Sequence, residues 1–264
     1  ISMLHTVFNL INTGILVWFC PQIEKLVCFI IRPRAKDADD NPKLMYIGQG
    51  GAVSTPELAV SEAEKEIIHF GQVVCEDLEY VRLAIHARGN DFAKWREKLV
   101  KYEEVTDNIE YEIANFLNRI DRSVLSERSN NKIRAMYRII SEMESLGDSG
   151  ESISRLLERA RDHSQKLGKR HIEEIDSMLA LISEAYDAMS YNLKNSEEIK
   201  EIDNAYKIEN AINDRRTQLR DAELKLLEEH PEEYFESVFY LDLLERLEEM
   251  GDYIINISQA VLLV

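Results

Sequence analysis

The sequence predicts an all-α protein built from long helices. Charged residues make up 31% of its 264 residues and aromatic residues 8%, while only ten glycines and five prolines are present. This composition favours long helices over strands and tight turns. Apolar residues also recur at helical spacing, as in the run from Ile67 to Ile85. Prolines interrupt the pattern rarely, because after Pro56 the only one is Pro231.

Residues 1–36 are the first predicted element, a membrane helix followed by an interfacial stretch. Residues 1–20 are apolar over about the length needed to cross a bilayer, and three basic residues follow between positions 32 and 36. Such a flank marks the cytoplasmic side, whereas a signal peptide carries its basic residues before the apolar stretch. Since the chain begins at Ile1 instead of methionine, we expect the C-terminal part of a longer protein. The alternative is a buried N-terminal helix of a soluble protein.

Residues 37–55 are predicted to be a linker, because Asp, Asn, Pro and Gly are concentrated there. Thr55 and Pro56 then supply an N-cap and a first-turn proline, which begin a helix. Residues 56–264 form the next predicted domain, which we divide into two three-helix repeats of similar length. The first repeat is assigned to 56–166 and the second to 168–264.

Each repeat contains three predicted helices joined by short loops, as in helix bundles. In the first repeat the helices are expected from Pro56 to a break at 89–91, from about 92 to 120, and from Ser126 or Ser129 to about 166. In the second repeat they are expected from Gly168 to about 193, from Ser196 with Glu197 and Glu198 in the first turn, and from Pro231 to the end.

Two copies of the motif Glu-x-x-Gly-Asp indicate that the repeats are duplicates. The copies end at Asp148 and Asp252, 104 residues apart, in the third and sixth predicted helices. The second and fifth helices match at an offset of 106 residues. The matched polar positions are Glu103 with Glu209, Asp107 with Asn213, Glu144 with Glu248, and Asp148 with Asp252.

The first-repeat carboxylates form two pairs at a spacing of four residues, Glu103 with Asp107 and Glu144 with Asp148. Like charges at this spacing share one helix face and repel each other, unless a cation or a basic partner neutralises them. Carboxylate oxygens from two adjacent helices suit a hard or borderline metal ion. The motif glycine, a poor helix residue, would let a ligand or a neighbouring helix approach closely. Chance carboxylate pairs are common in an acidic chain, so recurrence in both repeats is what favours metal binding.

Charge and composition exclude several other functions. The net charge of −17 argues against nucleic acid, which needs clustered Lys and Arg, and favours cations or basic partners. The three cysteines indicate neither a disulfide scaffold nor a thiolate zinc site. Glu66-x-x-His69 has the spacing of di-iron carboxylate bundles, but a second copy is missing. A metal-dependent oxidase or hydrolase is therefore disfavoured, and we expect no enzyme.

These residues resemble the PhoU family of phosphate-signalling proteins. The resemblance rests on two three-helix repeats, each with a spacing like Glu-x-x-hydrophobic-Asp on its second helix and Glu-x-x-Gly-Asp on its third. The stretch HTVFNLINT, followed by a proline, a basic flank, a loop and TPELAVSEAEKEI, is similar more specifically to the end of bacterial sodium/phosphate cotransporters with a fused PhoU-like domain. The resemblance implies a six-helix fold that regulates phosphate uptake.

The resemblance also implies that the motif carboxylates hold metal ions, with iron, manganese, magnesium and zinc all left open. The implied ligands are Glu103, Asp107, Glu144 and Asp148 in the first repeat and Glu209, Glu248 and Asp252 in the second. Asn213 stands where the family often has Asp, which makes the second site weaker or empty.

The implied partners follow from the fusion. They are the membrane domain of the same protein and, through that domain, inorganic phosphate and sodium. The membrane domain would lie in the bacterial inner membrane, and the helical domain in the cytoplasm. Nucleic acid is not expected, and a homodimer is left open. The rival interpretation is a soluble acidic helical adaptor that has neither a metal site nor a transport role.

Overall fold

A computed structural model describes residues 44–47, 55–163 and 167–263. The predicted membrane segment and most of the predicted linker lie outside these residues. The described part is helical, as expected, and within it no helix combines the length and the apolar character that crossing a bilayer requires. Its long helices are α1 (Pro56–His86), α2 (Asp91–Asn118), α3 (Glu127–Asp162), α4 (Lys169–Lys194), α5 (Asp203–Glu229) and α6 (Tyr234–Val261).

The helix starts in the first repeat follow from residues that the sequence places there. Pro56 occupies the first turn of α1, where its missing N–H costs no hydrogen bond. Ser126 caps α3, because its Oγ accepts the backbone N–H of Ser129 at 3.0 Å. Of the two predicted starts for this helix, Ser126 is therefore the correct one.

The two repeats meet along α3 and α6, which pack against each other and against both other helices of their own repeat. α1 and α4 make a further contact between the repeats. The predicted stripe on α1 is buried throughout, and so are the apolar residues that flank the motif on α3, including Met143, Leu146 and Ile153. Each third helix thus places its motif where it can face the second helix of its own repeat.

Two predicted helix starts in the second repeat are wrong. α5 begins at Asp203 instead of Ser196, because residues 195–198 form a turn in which Asn195 O accepts the N–H groups of Glu198 and Ile199. The Glu197 carboxylate pairs with Arg128 and Lys132 of α3. Pro231 begins a short 3₁₀ turn that ends at Glu233, and α6 starts only after it. In the first repeat α3 ends at Asp162, slightly earlier than the predicted 166.

A buried carboxylate holds the described part of the linker on α1. Glu66 is fully buried, and its Oε2 accepts backbone N–H groups from Met45, Tyr46 and Ile47 at 2.6–3.1 Å. The Nδ1 of His69 lies 3.0 Å from Glu66 Oε1. The Glu66-x-x-His69 pair is therefore occupied by contacts within the protein, which explains it without a di-iron centre.

Candidate metal site

Three of the predicted ligands lie together on α2 and α3. Carboxylate oxygens of Glu103, Asp107 and Asp148 all lie within 4.8 Å of one another, and no other such group is found among the described residues. Glu103 is half-buried, whereas Asp107 and Asp148 are exposed. Hard divalent cations are bound by carboxylate oxygens in this way, so the donor set fits the metal ion that the resemblance implies.

A glycine contact brings the two helices close enough for this group to form. A Cβ built on Gly147 would lie 2.2 Å from Thr106 Oγ1 and 2.9 Å from Thr106 Cβ. α2 therefore packs directly on the backbone of α3 one residue before Asp148. The predicted role of the glycine, to let a neighbouring helix approach, is confirmed at this position.

The charges of the group oppose one another, as the spacing predicts. Burial raises the pKa of Glu103, and the neighbouring Asp107 and Asp148 raise it further. Burial and Asp107 likewise raise the pKa of Asp148. A bound cation would relieve this repulsion and lower both pKa values, so the group should hold metal more weakly as the pH falls.

Glu144, the fourth predicted ligand of the first repeat, lies beside the group without completing it. Its pKa is raised by burial and by the charges of Asp148 and Asp107, so it experiences the same negative electrostatic potential as the group. Its Oε2 accepts a hydrogen bond from Ser145 Oγ at 3.3 Å. The structure therefore brings together three of the four predicted ligands and leaves Glu144 at their side.

A shallow groove of about 280 Å³ adjoins the group and reaches across to α6. Two of its basic side chains already have acidic partners, since Arg155 pairs with Glu151 and Arg246 pairs with Glu249. The Arg155 guanidinium also lowers the pKa of Asp148, although it is the weakest of the influences on that residue. Access to the carboxylates is therefore open on this side.

The second-repeat ligands have a different environment. Asn213 Nδ2 donates a hydrogen bond to Glu209 Oε1 at 2.6 Å, and the Arg216 Nη2 lies 3.5 Å from Glu248 Oε1. Asp252 is exposed for the most part. Partial desolvation and the charge of Glu249 raise its pKa, and the charge of Arg216 lowers it. Arg216 was missed from the sequence, although the offset of 106 residues places it at the position of Glu110.

A second missed residue is Asp77, a fully buried acid on α1. Neither of its carboxyl oxygens has a hydrogen-bond partner among the described residues. It packs against α3 at Gly150, where an added Cβ would lie 2.1 Å from Asp77 Oδ2. Burial raises the pKa of Asp77 well above its ordinary value, so this acid favours its neutral form inside the bundle.

Comparisons with known proteins support the fold. No family model matches the sequence, and no curated protein matches it. Among solved structures, PhoU from Pseudomonas aeruginosa is similar with a TM-score of 0.68 and 13% identity, over 78% of this chain and 96% of that one. The phosphate transport system regulatory protein PhoU from Streptococcus pneumoniae gives 0.65 and 17%, over 78% and 95%. The six long helices of the described residues therefore have a PhoU-like fold.

Proposed function

We propose that the chain is a regulator of phosphate transport and that it binds metal ions through Glu103, Asp107 and Asp148. The observation that carries the proposal is the convergence of these three carboxylates in a PhoU-like fold. One structural neighbour is described as a regulatory protein of a phosphate transport system. The description of that neighbour is what supports a regulatory role for this chain.

A more specific proposal is that this regulator is fused to the membrane domain of a transporter. Residues 1–36 would end the membrane domain of a sodium-dependent phosphate transporter, and the helical domain would act on that domain from the cytoplasmic face of a bacterial inner membrane. This step rests on the apolar stretch with its basic flank and on the HTVFNLINT resemblance. Cation binding at α2 and α3 would then change which transport state is favoured, by differential contact with the two states.

Removing two carboxylates tests the metal site. The double variant Asp107→Asn, Asp148→Asn should lose retained divalent metal, measured by elemental analysis after gel filtration, because two of three ligands become neutral amides. Phosphate uptake by cells that carry the variant should no longer respond to phosphate supply. The matched control is Glu97→Gln, Glu104→Gln, which removes as much negative charge from exposed positions of α2 outside the group. Equal metal content in both variants would contradict the proposed site.

Membrane fractionation tests the fusion. The 264-residue chain should enter the membrane fraction and require detergent for release, because residues 1–20 would insert into the bilayer. A variant with two charged residues in that stretch, Leu10→Lys and Leu16→Lys, should shift toward the soluble fraction. The adaptor interpretation predicts that the wild-type chain stays soluble without detergent, and that result would count against the fused transporter.

A further inference from the structure

We infer that the second repeat carries its own cation, the Arg216 guanidinium, in place of a metal ion, so that the chain binds metal in the first repeat alone. The inference deepens the proposed function and rests on it for the first repeat. It concerns Glu209, Asn213 and Asp252, which the duplication makes equivalent to the metal group, and Arg216 and Glu248, which correspond to the acidic residues Glu110 and Glu144 near that group.

The glycine contacts establish which positions correspond. In the first repeat Gly147 faces Thr106, and in the second repeat Gly251 faces Ile212, whose methyl carbons lie 3.1 and 3.2 Å from an added Cβ. These two contacts reproduce both sequence offsets at once, 104 residues for the glycines and 106 for their partners. Positions on the two helix pairs can therefore be compared one by one.

At one of the corresponding positions the two repeats carry charges of opposite sign. Glu110 of the first repeat corresponds to Arg216 of the second, and Glu144 corresponds to Glu248. Glu110 raises the pKa of Glu144, whereas Arg216 lowers the pKa of Glu248, although burial leaves that pKa raised on balance. The residue at this helix position therefore repels its partner carboxylate in the first repeat and attracts it in the second.

Direct contacts show that Arg216 is placed for this role. Its Nη2 lies 3.5 Å from Glu248 Oε1, and the two side chains are only 27% and 16% exposed. Partial burial weakens screening by water, so the pairing persists better than a surface ion pair would. Arg216 also acts on Asp252, whose pKa it lowers. Arg216 therefore pairs with Glu248 and also acts, more weakly, on the charge of Asp252.

Asn213 removes a further ligand from the second repeat. It replaces the carboxylate of Asp107 with an amide, and its Nδ2 already donates to Glu209 Oε1 at 2.6 Å. Its Oδ1 is buried and has no partner among the described residues. This oxygen is an uncharged ligand atom, and a divalent cation bound to it would lie near the positive charge of the Arg216 guanidinium. The second set therefore has three carboxylates, an amide and a cation where the first has five carboxylates.

Metal retention in a background without the first group tests the inference. The full chain with Asp107→Asn and Asp148→Asn is loaded with manganese(II) chloride, passed through a desalting column and analysed for manganese. We expect no retained metal. Adding Arg216→Glu and Asn213→Asp to this background should restore retention to about the wild-type content, because the second set then matches the first. The control that adds Asn213→Asp alone should retain no metal, since Arg216 remains.

The outcomes separate this inference from the proposed function. Metal retained in the double-Asn background and lost on adding Glu248→Gln would overturn the inference. A wild-type chain without retained metal would refute the proposed function, and with it this inference, whereas a wild-type chain that retains metal and still retains it in the double-Asn background would overturn the inference alone. Failure of the Arg216→Glu, Asn213→Asp variant to gain metal, with helix content unchanged by circular dichroism, would also overturn the inference. Arg216→Gln with Asn213→Asp replaces the variant if the glutamate version does not fold.

Discussion

Replacing Gly147 with alanine should destabilise the bundle by about 1–3 kcal/mol, as overpacking in a close-packed core does. The new methyl group would lie 2.2 Å from Thr106 Oγ1 and 2.9 Å from Thr106 Cβ. Rotation about χ1 moves Oγ1 but leaves Thr106 Cβ in place, so α2 has to move away from α3. Urea denaturation followed by circular dichroism measures the loss. Manganese retention should fall as well, because Glu103 and Asp107 move away from Asp148.

The matched control for this variant is Gly251→Ala. There the nearest atoms are two methyl carbons of Ile212 at 3.1 and 3.2 Å, which need to give by only a few tenths of an ångström. Alanine also gains about 1 kcal/mol over glycine in a helix interior. We therefore expect Gly251→Ala to stay within about 1 kcal/mol of wild type. An equal loss for both variants would contradict the contact with Thr106, and so would a failure of Thr106→Ala to recover any of the stability lost in Gly147→Ala.

Replacing Asp77 with asparagine should raise stability at neutral pH and leave it nearly unchanged at low pH. Because the pKa of Asp77 is raised in the folded protein, the folded state keeps a proton that the unfolded state releases. The wild-type chain therefore loses stability as the pH rises above about 4, by at most about 1.4 kcal/mol per pH unit until the folded-state pKa is reached. Asparagine has nearly the same shape and does not titrate, so the variant avoids this loss.

Thermal unfolding at a series of pH values measures the effect. The difference in melting temperature between Asp77→Asn and wild type should grow from pH 4 toward pH 8. Tyr186→Phe is the matched control, because the Tyr186 hydroxyl is also buried without a partner among the described residues. Its pKa is raised by burial and by Asp77, so removing it should change stability by the same amount across this pH range. A difference for Asp77→Asn that does not vary with pH would show that Asp77 is already ionised in the fold.

The fold could be predicted from the sequence because its signals are local. The helical period gives the buried stripes, and Pro56 and Ser126 give two of the helix starts. The carboxylate group could be predicted because an internal duplication allowed two copies of one motif to be compared. The predicted start of α5 was wrong, because Glu197 lies in a turn before the helix and pairs with Lys132 of α3. Only the tertiary structure reveals such a partner.

The missed residues were hidden for different reasons. Arg216 can be found by applying the offset of 106 to Glu110, but it shares no residue type with Glu110, and the motif consists of positions that match. Asp77 lies on the buried face of α1 with Val74, Leu78 and Val81. An acid at a stripe position signals a buried charge, yet its lack of a partner is visible only in three dimensions.

The hydrogen bonds from residues 45–47 to Glu66 determine where a pulling force on the preceding chain would act on the helical domain. Glu66 is ten residues beyond the start of α1, which is about 15 Å along the helix axis. Tension applied upstream of Met45 would reach the flank of α1 through hydrogen bonds to a charged acceptor, which are about twice as strong as neutral ones, before it reached the helix end. The chain is thus attached to the bundle partway along α1, and a pulling force on it would act on the buried Glu66 before it acted on the N-terminus of the helix.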